Sequence, residues 1–165
     1  MTTILQPLLT ILNLNTRLFA NCLDGVDDAS GVKRLDSSTN SMTFIAAHLV
    51  DARHFLATSL GAVVADNPTE SLRDVQSVEE AVDLPSLEQL RSGWQDVTGS
   101  LLSRLGTVSE EELRAEFSGR FPIEDSTVLG AISFLLQHES YHLGQLGFIR
   151  KQLGFDPMTY GEPDA

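Results

Sequence analysis

The sequence predicts an all-α fold, a four-helix bundle in one domain spanning residues 1–165, and three observations predict it. Four segments repeat apolar residues three and four positions apart, the period of a helix with one buried side. Capping and stop residues flank these segments where helices would begin and end. The chain of 165 residues, 42% apolar with six prolines, is long enough for one sizeable core and short for two.

The first helix is expected from about residue 4 to the Asp24-Gly25 break, with Leu5, Leu8, Leu9, Leu12, Phe19 and Leu23 on one side. Pro7 suits its first turn, where no intrahelical N–H is needed. The second runs from about Ser41 to Leu60, capped by Asn40 or Ser41 and stopped by Gly61, with a stripe of Met42, Ile45, Leu49, Ala52 and Leu56. The neighbouring stripe holds Phe44, His48 and Phe55. The third opens with a capping box, Ser86 to Gln89, and carries the cleanest period, from Leu87 through Trp94 to Leu105, before Gly106. The last, from about Ser126 to Leu153, is apolar almost all round, so it is expected either at the centre of the bundle or against a second subunit. Gly144 and Gly147 would allow close approach in a homodimer.

The connections carry topology. Residues 25–40 read as a loop, and 107–125 as a short helical turn capped by Ser109 and Glu112, then an extended link. The connection at 61–84 is long enough to return along a helix of about 30 Å. Helices two and three can then run parallel, in the order up, down, down, up.

Composition excludes several functions. Net charge −12 repels phosphate backbones, so no nucleic-acid partner is expected. The lone Cys22 cannot form an internal disulfide, and no stretch is apolar enough for a membrane span or a signal sequence. A cytoplasmic protein without a membrane partner is expected.

His138 and His142 lie four apart, about 40° around a helix and one turn along it, so both imidazoles can address one ion. His48, with Phe44, Ile45, Ala52 and Phe55 as helical neighbours, is expected to face the interior, where an unpaired polar group costs about 1–3 kcal/mol. His54, about 120° away from His48, is expected at the surface or rim. Three neutral imidazoles leave coordination positions for water or substrate, as in catalytic sites, and suit Zn, Ni, Cu or Fe. Gln145 and Tyr141 share the His138–His142 region and could orient a ligand; Asp51 and Glu139 are the nearest carboxylates, expected as outer groups around the imidazoles. Cys22, with no neighbouring histidine, reads as a packing residue.

The stretch HESYHLGQLGFIRKQLG at 138–154, with FIAAHL at 44–49, resembles the DinB-like (DinB/YfiT) superfamily of metalloenzymes over most of the chain. His138, His142, Gly144 and Gln145 match its last-helix pattern, and His48 falls where the family carries its remaining ligand. Where relatives often have Trp before that histidine, this sequence has Phe44, which implies different packing beside the substrate. The resemblance implies an up-down-down-up bundle, often dimeric, holding one divalent metal ion (Zn, Ni or Fe). It also implies chemistry like that of metal-dependent transferases using low-molecular-weight thiols and of a mycothiol-dependent isomerase. The expected function is activation of a thiol or water for attack on a small-molecule electrophile. The competing expectations are a bundle merely stapled by metal or a module binding a small ligand.

Overall fold

The computed structural model describes residues 3–72, 75, 77–81 and 83–161. The extreme ends of the expected 1–165 domain, and residues 73, 74, 76 and 82 of the 61–84 connection, lie outside the described residues. Among these described residues six α-helices follow one another: α1 (Gln6–Leu23), α2 (Asp28–Gly31), α3 (Met42–Ser59), α4 (Leu87–Leu105), α5 (Glu110–Arg114) and α6 (Val128–Gln152). Among the described residues, the remainder holds two 3-10 turns and an isolated bridge between Glu116 and Thr127.

The boundaries follow from local hydrogen bonds. Ser41 caps α3 by accepting the Phe44 N–H at 3.2 Å. Reciprocal capping boxes open α4 (Ser86 with Gln89) and α5 (Ser109 with Glu112). Each supplies acceptors to N–H groups that have no partner in the first turn, worth about 1 kcal/mol apiece. Thr127 accepts the Gly130 N–H at 3.1 Å and starts α6 after the expected Ser126. The loop expected at 25–40 contains α2, which the sequence reading missed; its cap is Asp27, accepting from Ser30 at 2.7 Å. At the far end of α1, the carbonyls of Cys22 and Leu23, orphaned where the helix stops, receive donors from Arg150 and Arg91.

The four long helices enclose two apolar clusters. One gathers Phe19, Leu49, Trp94 and Leu146; the other gathers Leu12, Leu56, Leu101 and Leu136. Between them along every helix lies a layer of polar side chains. Arg53 of α3 grips Glu139 of α6 through Nε to Oε1 at 2.8 Å and Nη2 to Oε2 at 2.6 Å, and both side chains are essentially without solvent contact. Arg53 Nη1 also donates to Thr16 of α1 and Thr98 of α4 at 2.9 and 2.7 Å, and its guanidinium lies 3.3 Å over the Trp94 ring. Asn15 of α1 donates to Glu139 Oε2 at 3.2 Å. One arginine therefore touches all three other long helices, and its register sets which residues of α3 and α6 face each other.

Other contacts give the pairing of the helices. Asn15 meets Glu139 and Cys22 meets the Leu143 carbonyl, so α1 and α6 contact in rising register. Arg53 meets Thr98 and the Leu60 carbonyl accepts from Arg104 at 2.6 Å, so α3 and α4 also do.

Candidate metal centre

Helix α3 carries His48, and α6 carries His138 and His142 one turn apart. His138 Nε2 stands 3.1 Å from His48 Nε2 and 3.1 Å from His142 Nε2. One ligand atom from each of the three rings falls within 4.8 Å of the others. Two imidazole nitrogens bound at about 2.0–2.1 Å to one ion, in tetrahedral directions, stand about 3.3 Å apart. The observed spacing is close to that.

Proton counting tests whether these residues fit a cation. Gln145 Oε1 lies 2.6 Å from His142 Nδ1, so that nitrogen carries the proton of a neutral ring and His142 Nε2 presents a bare lone pair. A hydrogen bond between His142 and His138 then needs a proton on His138 Nε2, which leaves His138 Nδ1 bare. That atom is buried without a hydrogen-bond partner. The single proton on His138 Nε2 cannot serve His142 and His48 together. Converging lone pairs with too few protons are what a metal ion relieves, so the cluster fits one.

The electrostatics agree. Desolvation, then the nearby His142 and His48, holds His138 down at about 4. Burial followed by His142 lowers His48, opposed by the Asp51 charge; burial lowers His142, opposed by the Gln145 hydrogen bond. Near neutral pH all three rings are neutral and able to donate lone pairs.

Several expectations need correction. His48 does not point into the core: its side chain is exposed in an open cleft, while its inner nitrogen is crowded by the other two rings. Phe55, expected to help bury it, is 46% exposed. His54, placed at the rim, is instead buried in the core. Helix α3 is covered on more than one side, so a stripe that looked outward by periodicity is sealed by neighbours. Glu139 does not orient an imidazole; its oxygens are taken by Arg53 and Asn15. Gly147 is covered by Met158, whose methyl would stand 3.7 Å from an added Cβ, whereas nothing lies within that reach of Gly144.

Other candidates surround the cluster. Asp51 shares a cavity of about 410 Å³ with His48, His142, Phe44 and Asn40, and its Oδ1 accepts from Asn67 at 3.1 Å. Tyr141 sets its ring edgewise to His142, centroids 5.0 Å apart. It also lines a second, more apolar cavity of about 510 Å³ with Gln145, Phe148 and Asn40. Cys22 is buried as expected, and burial pushes its thiol up to about 12, so it is no nucleophile.

The sequence reading missed an aromatic wall. Phe134 stacks toward His138, one turn away on α6, and Phe121 stacks on Phe134 at 4.7 Å and on Phe117 at 5.6 Å. The Phe134–His138 spacing of four was legible on the helix; the arrival of Phe117 and Phe121 from the 115–127 link was not. Arg53 was also missed, because its partner is 86 positions away.

No curated protein matches the chain. Two solved structures share its fold. A DinB-like protein from Bacillus cereus superposes with a TM-score of 0.70 at 17% identity, over 91% of this chain and 93% of that one. A DinB-like protein from Bacillus subtilis gives 0.60 at 15% identity, over 98% and 99%. The family model of the DinB superfamily matches residues 11–146. With the all-helical fold, the three converging histidines and a family match over most of its length, this chain belongs to the DinB superfamily.

Proposed function

We propose that the protein is a cytoplasmic enzyme that holds one divalent metal ion through His48, His138 and His142 and activates a low-molecular-weight thiol or a water molecule for attack on a small electrophile. The observation that carries this reading is the convergence of three imidazole nitrogens with fewer protons than their contacts require. The chemistry such an ion supplies is acidification of a thiol or water, giving thiolate or hydroxide near neutral pH.

The chain's own residues do the rest. Gln145 holds the His142 tautomer that turns Nε2 toward the cluster. Asp51, steadied by Asn67, places a negative charge in the cavity beside His48 and His142, suited to accept a proton or hold a cationic group. The second cavity, sharing Asn40 with the first, offers Tyr141 and Phe148 to an apolar portion of the substrate. Both cavities match small molecules in size. A purely stapling metal is less well supported, since two apolar clusters and the Arg53–Glu139 layer already join the helices and the histidines lie in an open cleft.

The up-down-down-up order belongs to the same reading, supported by the rising registers of α1 with α6 and of α3 with α4. So does a homodimer, supported by Tyr141 and Phe148, 59% and 60% exposed on α6. No helix among the described residues is long and apolar enough to cross a membrane.

Elemental analysis of untagged protein beside His48→Ala and His142→Ala tests the proposal. About one metal per chain, lost in both variants, is expected, followed by turnover in a screen of thiols against small electrophiles. No metal after reconstitution, or full metal in both variants, would overturn it.

A further inference from the structure

The cavity of about 510 Å³ beside Tyr141 has a gap in its helical wall. Tyr141 and Phe148 are seven apart on α6, so they leave one face of the helix about 10 Å from each other. Both rings are exposed. On that face only Gly144 and Gln145 stand between them. Gln145 turns its amide away to His142 Nδ1, at 2.6 Å, and Gly144 has no side chain. A Cβ built on Gly144 would meet nothing within 4 Å. The backbone at Gly144 is therefore the floor of a slot with an aromatic ring at each end, while Leu35 and Asn40 line the cavity from the 25–40 loop. The chain has 23 acidic and 11 basic residues, yet among the described residues no carboxylate, ammonium or guanidinium lines this cavity.

We propose that Gly144 makes this cavity a slot for a flat, uncharged aromatic group, held between Tyr141 and Phe148, and that a substrate of the reaction proposed above carries that group. The second half rests on that reading; the slot itself does not. Three physical reasons favour such an occupant. A flat ring can approach the backbone closely only where no Cβ stands in the way. It removes from water two aromatic surfaces that the chain leaves exposed. A charged group would lose its hydration without gaining an opposite charge. The slot also borders the histidine cluster, since the Tyr141 ring lies 5.0 Å from that of His142. A ring seated there keeps the remainder of the same molecule within reach of the histidines.

The experiment titrates the full-length protein, zinc-loaded and chelator-treated, with 2-naphthol, and reads affinity and location from amide shifts. Two probes of similar size run in parallel: 2-naphthoate, which is charged, and decahydro-2-naphthol, which is not flat. Saturable binding centred on Gly144 and Gln145 is expected, about tenfold weaker for either comparison probe. Gly144→Leu fills the slot while both rings stay in place, and should weaken binding about tenfold or more; its Cβ meets open space, so the variant should melt no lower than wild type. Phe148→Ser should weaken binding as well. Binding by the chelator-treated protein, with no zinc uptake on reconstitution, would support the slot while the metal-dependent function falls; zinc uptake without probe binding would overturn the slot alone. Equal affinity for the three probes, or undiminished binding by Gly144→Leu, also overturns it. So does a wild type of doubled mass that takes no probe and becomes a single chain in Gly144→Leu, which would give the slot to a second copy.

Discussion

Replacing Glu139 by Gln keeps the shape of the side chain and removes its charge, which isolates the electrostatic role of the polar layer. Glu139 is 1% exposed and Arg53 is fully buried. The carboxylate accepts two charge-assisted bonds from Arg53, at 2.8 and 2.6 Å, and a third from Asn15 at 3.2 Å. In the variant, the guanidinium stays buried with no opposite charge and faces one amide NH2 where it had an acceptor. Breaking one partner of such a pair costs about 3–5 kcal/mol, a large part of the roughly 5–15 kcal/mol of a typical domain. With a urea slope of about 2 kcal/mol/M, the midpoint should fall by about 2 M. The double variant Arg53→Met, Glu139→Leu should recover most of that loss, because Thr16 and Thr98 keep other partners in the carbonyls of Leu12 and Trp94. Equilibrium urea unfolding at neutral pH, followed by far-UV circular dichroism, is the assay. A midpoint within about 0.3 M of wild type for Glu139→Gln would refute the buried-pair argument, and a double variant no better than the single would refute the view that the isolated charge dominates.

Gln145→Leu removes the acceptor on His142 Nδ1 and should weaken zinc binding about 10–100-fold, measured by competition with a chromophoric chelator, with little change in melting temperature. Unchanged affinity would show that Gln145 does not set the tautomer. The metal-free protein should lose stability as pH falls below about 6.5: folded histidine values lie below that ordinary value, with His138 at about 4, so the unfolded chain takes up protons first. Thermal melts from about pH 7 down to about pH 5 should show a steeper decline than those of a variant with all three histidines replaced by Gln; parallel curves would contradict the lowered values. Light scattering after size exclusion should give twice the 18.0 kDa of one chain, and Tyr141→Ser with Phe148→Ser should return the single-chain mass. A single-chain mass for the wild type at every concentration would remove the dimer.

The sequence by itself determined what local chemistry controls. The four long helices appear within about two residues of their expected limits, and α3 and α4 start where expected because Ser41 and Ser86 act on N–H groups three residues away, a range visible along the chain. His138 and His142 were readable as a pair for the same reason, since a helix alone brings residues four apart together. Tertiary structure decided what depends on contacts distant in sequence. Periodicity placed His48 inside and His54 outside, and the packing of α3 against α4 and α6 reversed both, because apolar neighbours can line an open cleft as readily as a core. It made Glu139 the partner of Arg53, a pairing across 86 positions that no local spacing announces. The same pairing joins α3 to α6, the two helices on which His48 faces His138 and His142, so the histidine cluster rests on an ion pair that can be recognised only after the helices are packed.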